Sequence, residues 1–252
     1  MYQLTDTHCH LNSPLFAGRL DAVITRARRA GVGTLVTPAW DRTSAGEALA
    51  LAAVHPAIRP AVGLHPWFAA RDADLTWLPT LLEDPRVVAI GEIGLDGAID
   101  DDDPTVQERV FRTQLEMALT YHLPVLLHCR RRWDRLLTCL RDYPGIRGVL
   151  HAFSGSVETL REGLSLGLFV SCAGSVTRVN SRRARAAAAG VPLDHLLLET
   201  DAPYLALDGV PAVEVEPAHL PWILAAVAGL RDEMEATLAG HLAANVTRLF
   251  TR

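Results

Sequence analysis

The chain has 252 residues, of which 49% are hydrophobic, and it carries a formal net charge of −5. The length and apolar fraction suffice for one large core, and the negative charge excludes general coating of nucleic acid, which needs a broad basic surface. All 24 basic residues are Arg. Because no Lys occurs, a lysine Schiff base and a carbamylated-lysine metal bridge are both impossible.

Short apolar runs, many of them β-branched, alternate along the chain with longer stretches of helical periodicity. The predicted strands cover 2–6, 33–37, 59–63, 87–91, 124–128, 147–151, 168–172 and 195–199. The predicted helices cover 18–30, 43–54, 105–122, 131–142, 156–166 and 180–189, and a last helical segment, 217–249, closes the chain. Eight strands at roughly 31 residues per unit match the size of a βα unit. The pattern predicts an α/β protein in which a (β/α)8 TIM barrel forms a single domain over residues 1–252. An open doubly wound sheet is the alternative, but no GxGxxG follows the first strand.

Neither the start of the chain nor its cysteines indicate secretion. The opening "MYQLTDTHCH" does not resemble a signal peptide, and the longest helical apolar run, "WILAAVAGL" (222–230), is far below the ~20 residues that a membrane span needs. No CxxC pair occurs among the four cysteines, Cys9, Cys129, Cys139 and Cys172. We therefore expect a soluble, cytoplasmic protein with reduced cysteines and no membrane contact.

Residues with metal-ligand chemistry follow the carboxyl ends of the predicted strands, and in a barrel these ends share one rim. They are Asp6, His8 and His10 after the first strand, His65 after the third, Glu92 and Asp96 after the fourth, His128 after the fifth, His151 after the sixth, and Glu199 and Asp201 after the eighth. Alternation places His8 and His10 on the same side of the first strand. If that side faces the barrel axis, a divalent cation would compensate the cost of burying the pair. Imidazole and carboxylate ligands suit Zn, Mn, Fe or Ni, and Mg less well.

The remaining histidines are expected to have structural roles, because an isolated histidine in a fold is more often hydrogen-bonded than a ligand. They are His55, His122, His195, His219 and His241.

The motifs "DTHCHLN", "GLHP", "GEIGLD", "LPVLLHCR", "HAFSG" and "ETDAPYL" occur in an order that resembles the TatD-type metal-dependent hydrolases and deoxyribonucleases, which belong to the amidohydrolase-like barrels. The resemblance extends from about residue 2 to "NVTRLF" (245–250). The segment "HCRRRWDRL" is most similar to a less characterised branch of that family, with an Arg pair after the fifth-strand His.

The resemblance implies a centre of two divalent metal ions, whose identity (Zn, Mn, Mg, Fe or Ni) stays open. His8, His10 and Asp201 would hold the first ion, Glu92 would bridge the two, and His128 and His151 would hold the second. A bridging carboxylate also agrees with the absence of Lys.

Two stretches depart from the family pattern. After "GLD" the family usually continues with an aromatic residue, whereas here Gly97 and Ala98 precede an acidic run, Asp100–Asp103. We expect this run to be a solvated loop and helix N-cap, since carboxylates favour a helix amino end. In "GVPAVEVEPAHL", Val215 stands where Asn is usual and no Arg is near. These departures concern the family's substrate contacts and leave the metal centre intact.

Several residues beside the predicted ligands have candidate roles. Asp201 is the candidate general base for a metal-activated water. His65 is expected to contact the scissile group or that water. Asp6 would either orient a ligand histidine or bond to the backbone. Glu199 and Thr200 are expected to be structural or to support the ligands.

Two arginine clusters begin near the predicted catalytic rim. They are Arg130, Arg131, Arg132 and Arg135 after the fifth strand, and Arg178, Arg182, Arg183 and Arg185 after the seventh. Arg side chains match phosphate oxygens well, so we expect at least one, with Arg130 as the first candidate, to bind a substrate phosphate while most face water. Trp67 and Phe68 are placed to stack on a base, and Trp133 is expected to anchor the core.

The leading hypothesis is metal-dependent phosphodiester hydrolysis on DNA, from a single-stranded 3′ end or at damaged sites. The alternatives are hydrolysis of an amide or ester, including an aminoacyl ester on tRNA, and a nucleic-acid-binding protein with a relic site. RNA is a further possible substrate. We expect a monomer without an obligate protein partner.

Overall fold

Eight parallel strands form the centre of the fold, and each pairs with the next in chain order. The computed structural model describes residues 3–99 and 103–251. In these ranges the strands are β1 (Leu4–Asp6), β2 (Val32–Pro38), β3 (Ile58–Val62), β4 (Ala89–Asp96), β5 (Val125–Arg130), β6 (Gly148–Leu150), β7 (Phe169–Cys172) and β8 (Leu196–Leu198). Each overlaps a predicted strand, although β4 and β5 continue beyond the predicted ends at 91 and 128. The predicted (β/α)8 architecture is confirmed.

Helices alternate with the strands on the outside of the barrel. They are α1 (Leu20–Arg29), α2 (Arg42–Val54), α3 (Leu78–Leu82), α4 (Pro104–Tyr121), α5 (Trp133–Arg141), α6 (Val157–Ser165), α7 (Arg182–Gly190), α8 (Leu220–Arg231) and α9 (Glu235–Phe250). The short α3 was not predicted. None of the helices in the described ranges is long and apolar enough to cross a bilayer.

The prediction of one last helical segment over 217–249 is wrong. The chain forms a 3-10 turn at Pro217–His219 and then two helices, because Asp232 adopts a left-handed conformation (φ 53°) that ends α8. The backbone N–H of Asp232 caps α8 by donating to the Ala228 carbonyl. The reversal lets both helices pack on the barrel, as buried Leu224 and Leu242 indicate.

Hydrogen bonds join the first strand to the last at the carboxyl rim. The Thr7 N–H donates to the Leu198 carbonyl at 3.2 Å, and the Asp201 N–H donates to the His8 carbonyl at 2.9 Å. Thr200 donates its N–H (3.0 Å) and its hydroxyl (2.6 Å) to the buried Asp6 carboxylate. This joint fixes the loop after β8 against the end of β1.

A layer of buried apolar side chains fills the barrel below the rim. It includes Val36, Ala61, Ala89, Leu126, Val149 and Leu197, each from a different strand. Because strand side chains alternate, residues two positions further along point to the same side. His128, His151 and Glu199 follow Leu126, Val149 and Leu197 at that spacing, so they line the axis directly above the apolar layer.

Gly94 allows β4 and β5 to approach closely beside one of these histidines. Its φ is +147°, and a Cβ there would lie 1.9 Å from the His128 carbonyl oxygen. Only glycine tolerates both the conformation and the contact. Gly94 therefore sets the position of His128 relative to Glu92 on the neighbouring strand.

Candidate metal centre

Four side chains converge around one point between the ends of β1, β4 and β8. The Nε2 atoms of His8 and His10 lie 3.1 Å apart. Glu92 Oε2 lies 3.2 Å from the first and 3.6 Å from the second. Asp201 Oδ1 lies 3.8 Å and 3.4 Å from the same two nitrogens. All four residues are buried.

The spacing of these donor atoms fits a divalent cation. Tetrahedral zinc sites have ligand distances of 2.0–2.1 Å, which places neighbouring ligand atoms about 3.4 Å apart. The five distances given above run from 3.1 to 3.8 Å. Two imidazoles and two carboxylates also form a donor set that divalent transition metals bind well. The residues present therefore suit a metal ion without rearrangement of the backbone.

The other oxygen of Glu92 faces a second group of histidines. Glu92 Oε1 lies 2.7 Å from His128 Nδ1, 3.3 Å from His151 Nε2 and 3.5 Å from His65 Nε2. One carboxylate thus spans two sets of donors, with Oε2 toward the histidines after β1 and Oε1 toward three further histidines, His65 after β3, His128 in β5 and His151 after β6. The predicted ligands His8, His10, Glu92, His128, His151 and Asp201 are brought together at one place, and their individual roles stay predictions.

Two further carboxylates hold the histidines of the second group. Glu199 Oε1 accepts a hydrogen bond from His151 Nδ1 at 2.8 Å. Asp96 Oδ2 lies 3.1 Å from His128 Nε2 and accepts from Trp67 Nε1 at 2.7 Å. Carboxylates of this kind fix the ring orientation of ligand histidines. Sequence reasoning did not give Asp96 this role, although its position four residues after Glu92 on one strand predicts that both face the same side.

His65 is better placed to donate a hydrogen bond than to bind a metal. Its Nδ1 accepts from the Trp67 backbone N–H at 3.2 Å, so the proton of the neutral ring lies on Nε2. Burial, together with the charge of His128, lowers the pKa of His65 to about 4 and keeps the ring neutral. His65 also lies close enough to Glu92 and His128 to share an ion with them. However, the hydrogen bond from Trp67 competes with that role.

Neighbouring groups shift the pKa values of the carboxylates and the histidines in this centre. Burial acts to raise the pKa of Glu92, but the nearby His151, His8 and His65 outweigh it and lower that pKa well below its usual value. Burial opposes protonation of His151, yet the charges of Glu199 and Glu92 raise the pKa of its ring to about 10. The pKa of Asp201 is also lowered, because the hydrogen bond with His10 and the histidine charges outweigh burial. A protonated His151 thus places positive charge beside Glu92, where a metal ion bound by the same two residues would also lie.

Asp6 bonds to the backbone and to Thr200 rather than to a ligand ring. It accepts from the N–H of His8 at 3.3 Å and from the N–H and hydroxyl of Thr200. Burial raises the pKa of Asp6 to about 8 against these hydrogen bonds. Of the two roles considered for Asp6, these contacts support bonding to the backbone rather than orientation of a ligand histidine.

A cavity of ≈ 490 Å³ opens above the centre. Besides the predicted ligands and His65, its lining consists of four aromatic side chains, Trp40, Trp67, Phe68 and Tyr204. Arg130 does not line this cavity. Its side chain is exposed at the end of β5 and makes no hydrogen bond or ion pair with the residues that the structure describes. The substrate contact predicted for Arg130 stays a prediction.

Arg side chains of both clusters, and the two stretches that depart from the family pattern, have contacts with the protein itself. Arg135 forms a two-pronged pair with Glu108 at 2.6 and 3.0 Å, and Arg185 donates to the Val176 carbonyl. Val215 is fully buried, so it cannot replace the family's Asn as a surface contact. Within the acidic run, Asp103 caps α4 by accepting from the Thr105 N–H at 2.8 Å. The rest of that run, 100–102, lies outside the described residues.

Trp133, five of the histidines and the four cysteines have contacts that agree with the structural roles expected for them. Trp133 packs edge-to-face on the buried Phe153, with ring centroids 5.0 Å apart. In the contacts of the described chain, the five histidines expected to be structural do not touch the centre: His55, His122, His195, His219 and His241. The four cysteines are free thiols.

A barrel of eight parallel strands with imidazole and carboxylate donors at its carboxyl rim defines the metal-dependent hydrolase class of (β/α)8 proteins. Residues 5–251 match the family described as TatD related DNase, and the chain belongs to this family. It is 37% identical over 250 residues to the uncharacterized metal-dependent hydrolase YjjV of Escherichia coli K12, covering 97% of this chain and 96% of the relative. It is 38% identical over 263 residues to the 3′-5′ ssDNA/RNA exonuclease TatD of Klebsiella pneumoniae (strain 342), covering 97% of each.

The fold agrees with this membership. The crystal structure of YjjV from Escherichia coli K12 superimposes with a TM-score of 0.93 at 37% identity, covering 98% of this chain and 97% of that chain.

Proposed function

We propose that this protein hydrolyses phosphodiester bonds at the 3′ end of single-stranded or damaged DNA, with two divalent ions in its barrel mouth. The observation that carries the proposal is the position of Glu92. Its Oε2 faces His8 and His10, and its Oε1 faces His128 and His151. A carboxylate placed between two donor sets suits a pair of metal ions, which favours displacement at phosphorus. The name of the exonuclease TatD, a relative at 38% identity, supports the same substrate class.

When bound, the ions supply an activated water and neutralise charge that develops on the phosphate. The chain's own residues then accept the proton of the water and donate hydrogen bonds to the substrate. Asp201 accepts the proton of the attacking water, because it lines the cavity and its side chain is 12% exposed, against 5% for Glu92. Its lowered pKa keeps it ionised for this purpose. His65, which is neutral, donates a hydrogen bond from Nε2 to a phosphate oxygen or to the leaving group.

The proposal also covers the extent of the domain, its cellular compartment and its native ions. The domain acts as one unit over 1–252 and works in the cytoplasm, without an obligate protein partner. The native ions are drawn from Zn, Mn, Fe, Ni and Mg, and the histidine-rich donor set favours the first four.

The proposal is tested with end-labelled single-stranded DNA and Mn²⁺ or Mg²⁺. Wild type is expected to shorten the strand stepwise, and a label at each end in turn gives the polarity. The Asp201→Asn variant, which keeps the shape of the side chain but loses the base, is expected to be inactive. Folding and metal content of both proteins are measured alongside. A folded, metal-loaded wild type that leaves DNA and RNA intact would refute the proposal.

A second candidate is hydrolysis of an amide or an ester, including an aminoacyl ester on tRNA. One observation favours it: among the described residues no Arg side chain lines the cavity. The same water and the same base would serve this reaction. Release of amino acid from aminoacyl-tRNA, with no shortening of DNA by the same preparation, would establish this candidate in place of the first.

A further inference from the structure

Trp67 presents an unusually exposed indole to the cavity while its polar end is fixed. The side chain lines the cavity, yet the residue is 51% exposed. Its Nε1 donates to Asp96 Oδ2 at 2.7 Å, and its ring meets the His65 ring edge-to-face at 4.9 Å. The indole is therefore held in one orientation with a large apolar face left open to solvent.

Tyr204 has the same properties on the other side of the centre. It is 50% exposed, lines the cavity and packs edge-to-face on His10, with ring centroids 5.1 Å apart. Its hydroxyl forms a hydrogen bond with Ser13 Oγ at 3.0 Å. Trp67 thus lies beside the histidines that face Glu92 Oε1, and Tyr204 lies beside those that face Glu92 Oε2.

Exposed aromatic rings whose polar ends are already bonded lose little freedom when a flat ligand stacks on them. Every nucleobase has such a flat face, and stacking on protein aromatics tolerates all sequences. A base inside a duplex is already stacked on its neighbours and cannot use these rings. The arrangement therefore suits an unpaired strand with bases on both sides of the metal centre.

We propose that Trp67 and Tyr204 are the stacking platforms for the two nucleotides that flank the scissile phosphate. This inference rests on the proposed function. The phosphate lies over Glu92, one flanking base stacks on Trp67, and the other stacks on Tyr204. The two rings select for single strands without selecting a sequence.

The test uses single-stranded oligonucleotides in which one sugar lacks its base, either at the last or at the penultimate position. For wild type, each missing base is expected to lower kcat/KM by about 5- to 150-fold, the range that loss of one stacked base implies. Trp67→Ala is expected to abolish discrimination at one of the two positions, and Tyr204→Ala at the other. Trp222→Ala is the matched control, because Trp222 is 54% exposed on α8 and does not line the cavity.

Conservative variants separate stacking from support of the metal ligands. Trp67→Phe keeps an aromatic face but loses the hydrogen bond to Asp96, and Tyr204→Phe loses only the bond to Ser13. Both are expected to keep discrimination against the missing base, even where kcat falls. A Trp67→Phe variant that discriminates no better than Trp67→Ala would assign Trp67 to positioning through Asp96 and would overturn the proposal.

The remaining outcomes distinguish this inference from the proposed function. If wild type cleaves the intact strand and the two strands that lack a base at equal rates, the stacking proposal fails and the nuclease activity stands. If Trp222→Ala changes discrimination as much as the platform variants do, the stacking proposal also fails. If folded, metal-loaded wild type cleaves none of them, the proposed function fails and this inference fails with it.

Discussion

Glu199 fixes the ring of His151 by a hydrogen bond of 2.8 Å from Nδ1 to Oε1. The same oxygen accepts from the backbone N–H of Ala152 at 2.6 Å, so the carboxylate is itself held in place. The opposite nitrogen of the ring, Nε2, points to Glu92 at 3.3 Å. Glu199 therefore decides which nitrogen of His151 faces the centre.

Glu199→Gln is expected to weaken metal binding about 10- to 100-fold, because a neutral amide orients and polarises the imidazole less than a carboxylate does. The dissociation constant is measured by competition with a chelator. Glu158→Gln on the exposed face of α6 is the matched control and is expected to bind metal as wild type does. Equal affinity of the Glu199 variant and wild type would contradict a positioning role.

Glu92→Ala is expected to remove the second metal more than it unfolds the barrel. Both oxygens of Glu92 face histidines, and neither is needed for strand pairing. Metal content by elemental analysis and thermal unfolding of the metal-free protein measure the two effects. A full complement of metal in this variant would rule out the bridging assignment.

Metal binding is expected to release a proton from His151. The pKa of this ring is raised to about 10 in the metal-free protein, against burial, by Glu199 and Glu92. The raised pKa means that the ring holds a proton at neutral pH, which a metal must displace. The apparent metal affinity should therefore increase as pH rises toward about 10 and then level off. Calorimetry in buffers of different ionisation enthalpy counts the released protons, and a count of zero at pH 8 would contradict the expectation.

Arg130→Ala is expected to raise KM on nucleic acid and to leave kcat nearly unchanged. Its exposed guanidinium lies at the end of β5, two residues beyond His128. A contact with a phosphate further along the strand would be exposed and would therefore weaken as salt is added. Arg161→Ala, exposed on α6, serves as the control. Identical KM values for wild type and the Arg130 variant would assign Arg130 to the solvated surface.

Gly94→Ala is expected to destabilise the fold by more than about 3 kcal/mol, because it combines backbone strain with a clash against the His128 carbonyl. Denaturant unfolding measures the change. Gly229→Ala on α8 is the matched control, since a Cβ there meets nothing within 4 Å. That control should stabilise the protein by roughly 0.5–1 kcal/mol through helix propensity. A Gly94 variant as stable as wild type would show that β4 and β5 can separate at this point.

The sequence predicted the barrel from its periodicity, and it predicted the gathering of the candidate ligands from their places at the ends of the strands. His8 and His10 alternate on one strand, and His128 follows an apolar strand whose end must reach the rim. The choice of hydrogen-bond partner was harder to predict. Asp6 binds Thr200 rather than an imidazole, and Asp96 binds His128. Both contacts depend on side-chain directions that spacing alone does not determine.

The break between α8 and α9 was missed for a different reason. It depends on the left-handed conformation of Asp232, a residue that helices also accommodate. The apolar pattern continues through 217–249 on both sides of the break, so periodicity did not indicate that one helix ends and another begins.

The joint between β1 and β8 has a consequence for protein synthesis. His8 and His10 are separated from Glu199 and Asp201 by about 190 residues of sequence, so the two groups are synthesised at different times. A nascent chain therefore cannot bring these four side chains together until the segments on both sides of the joint have been synthesised.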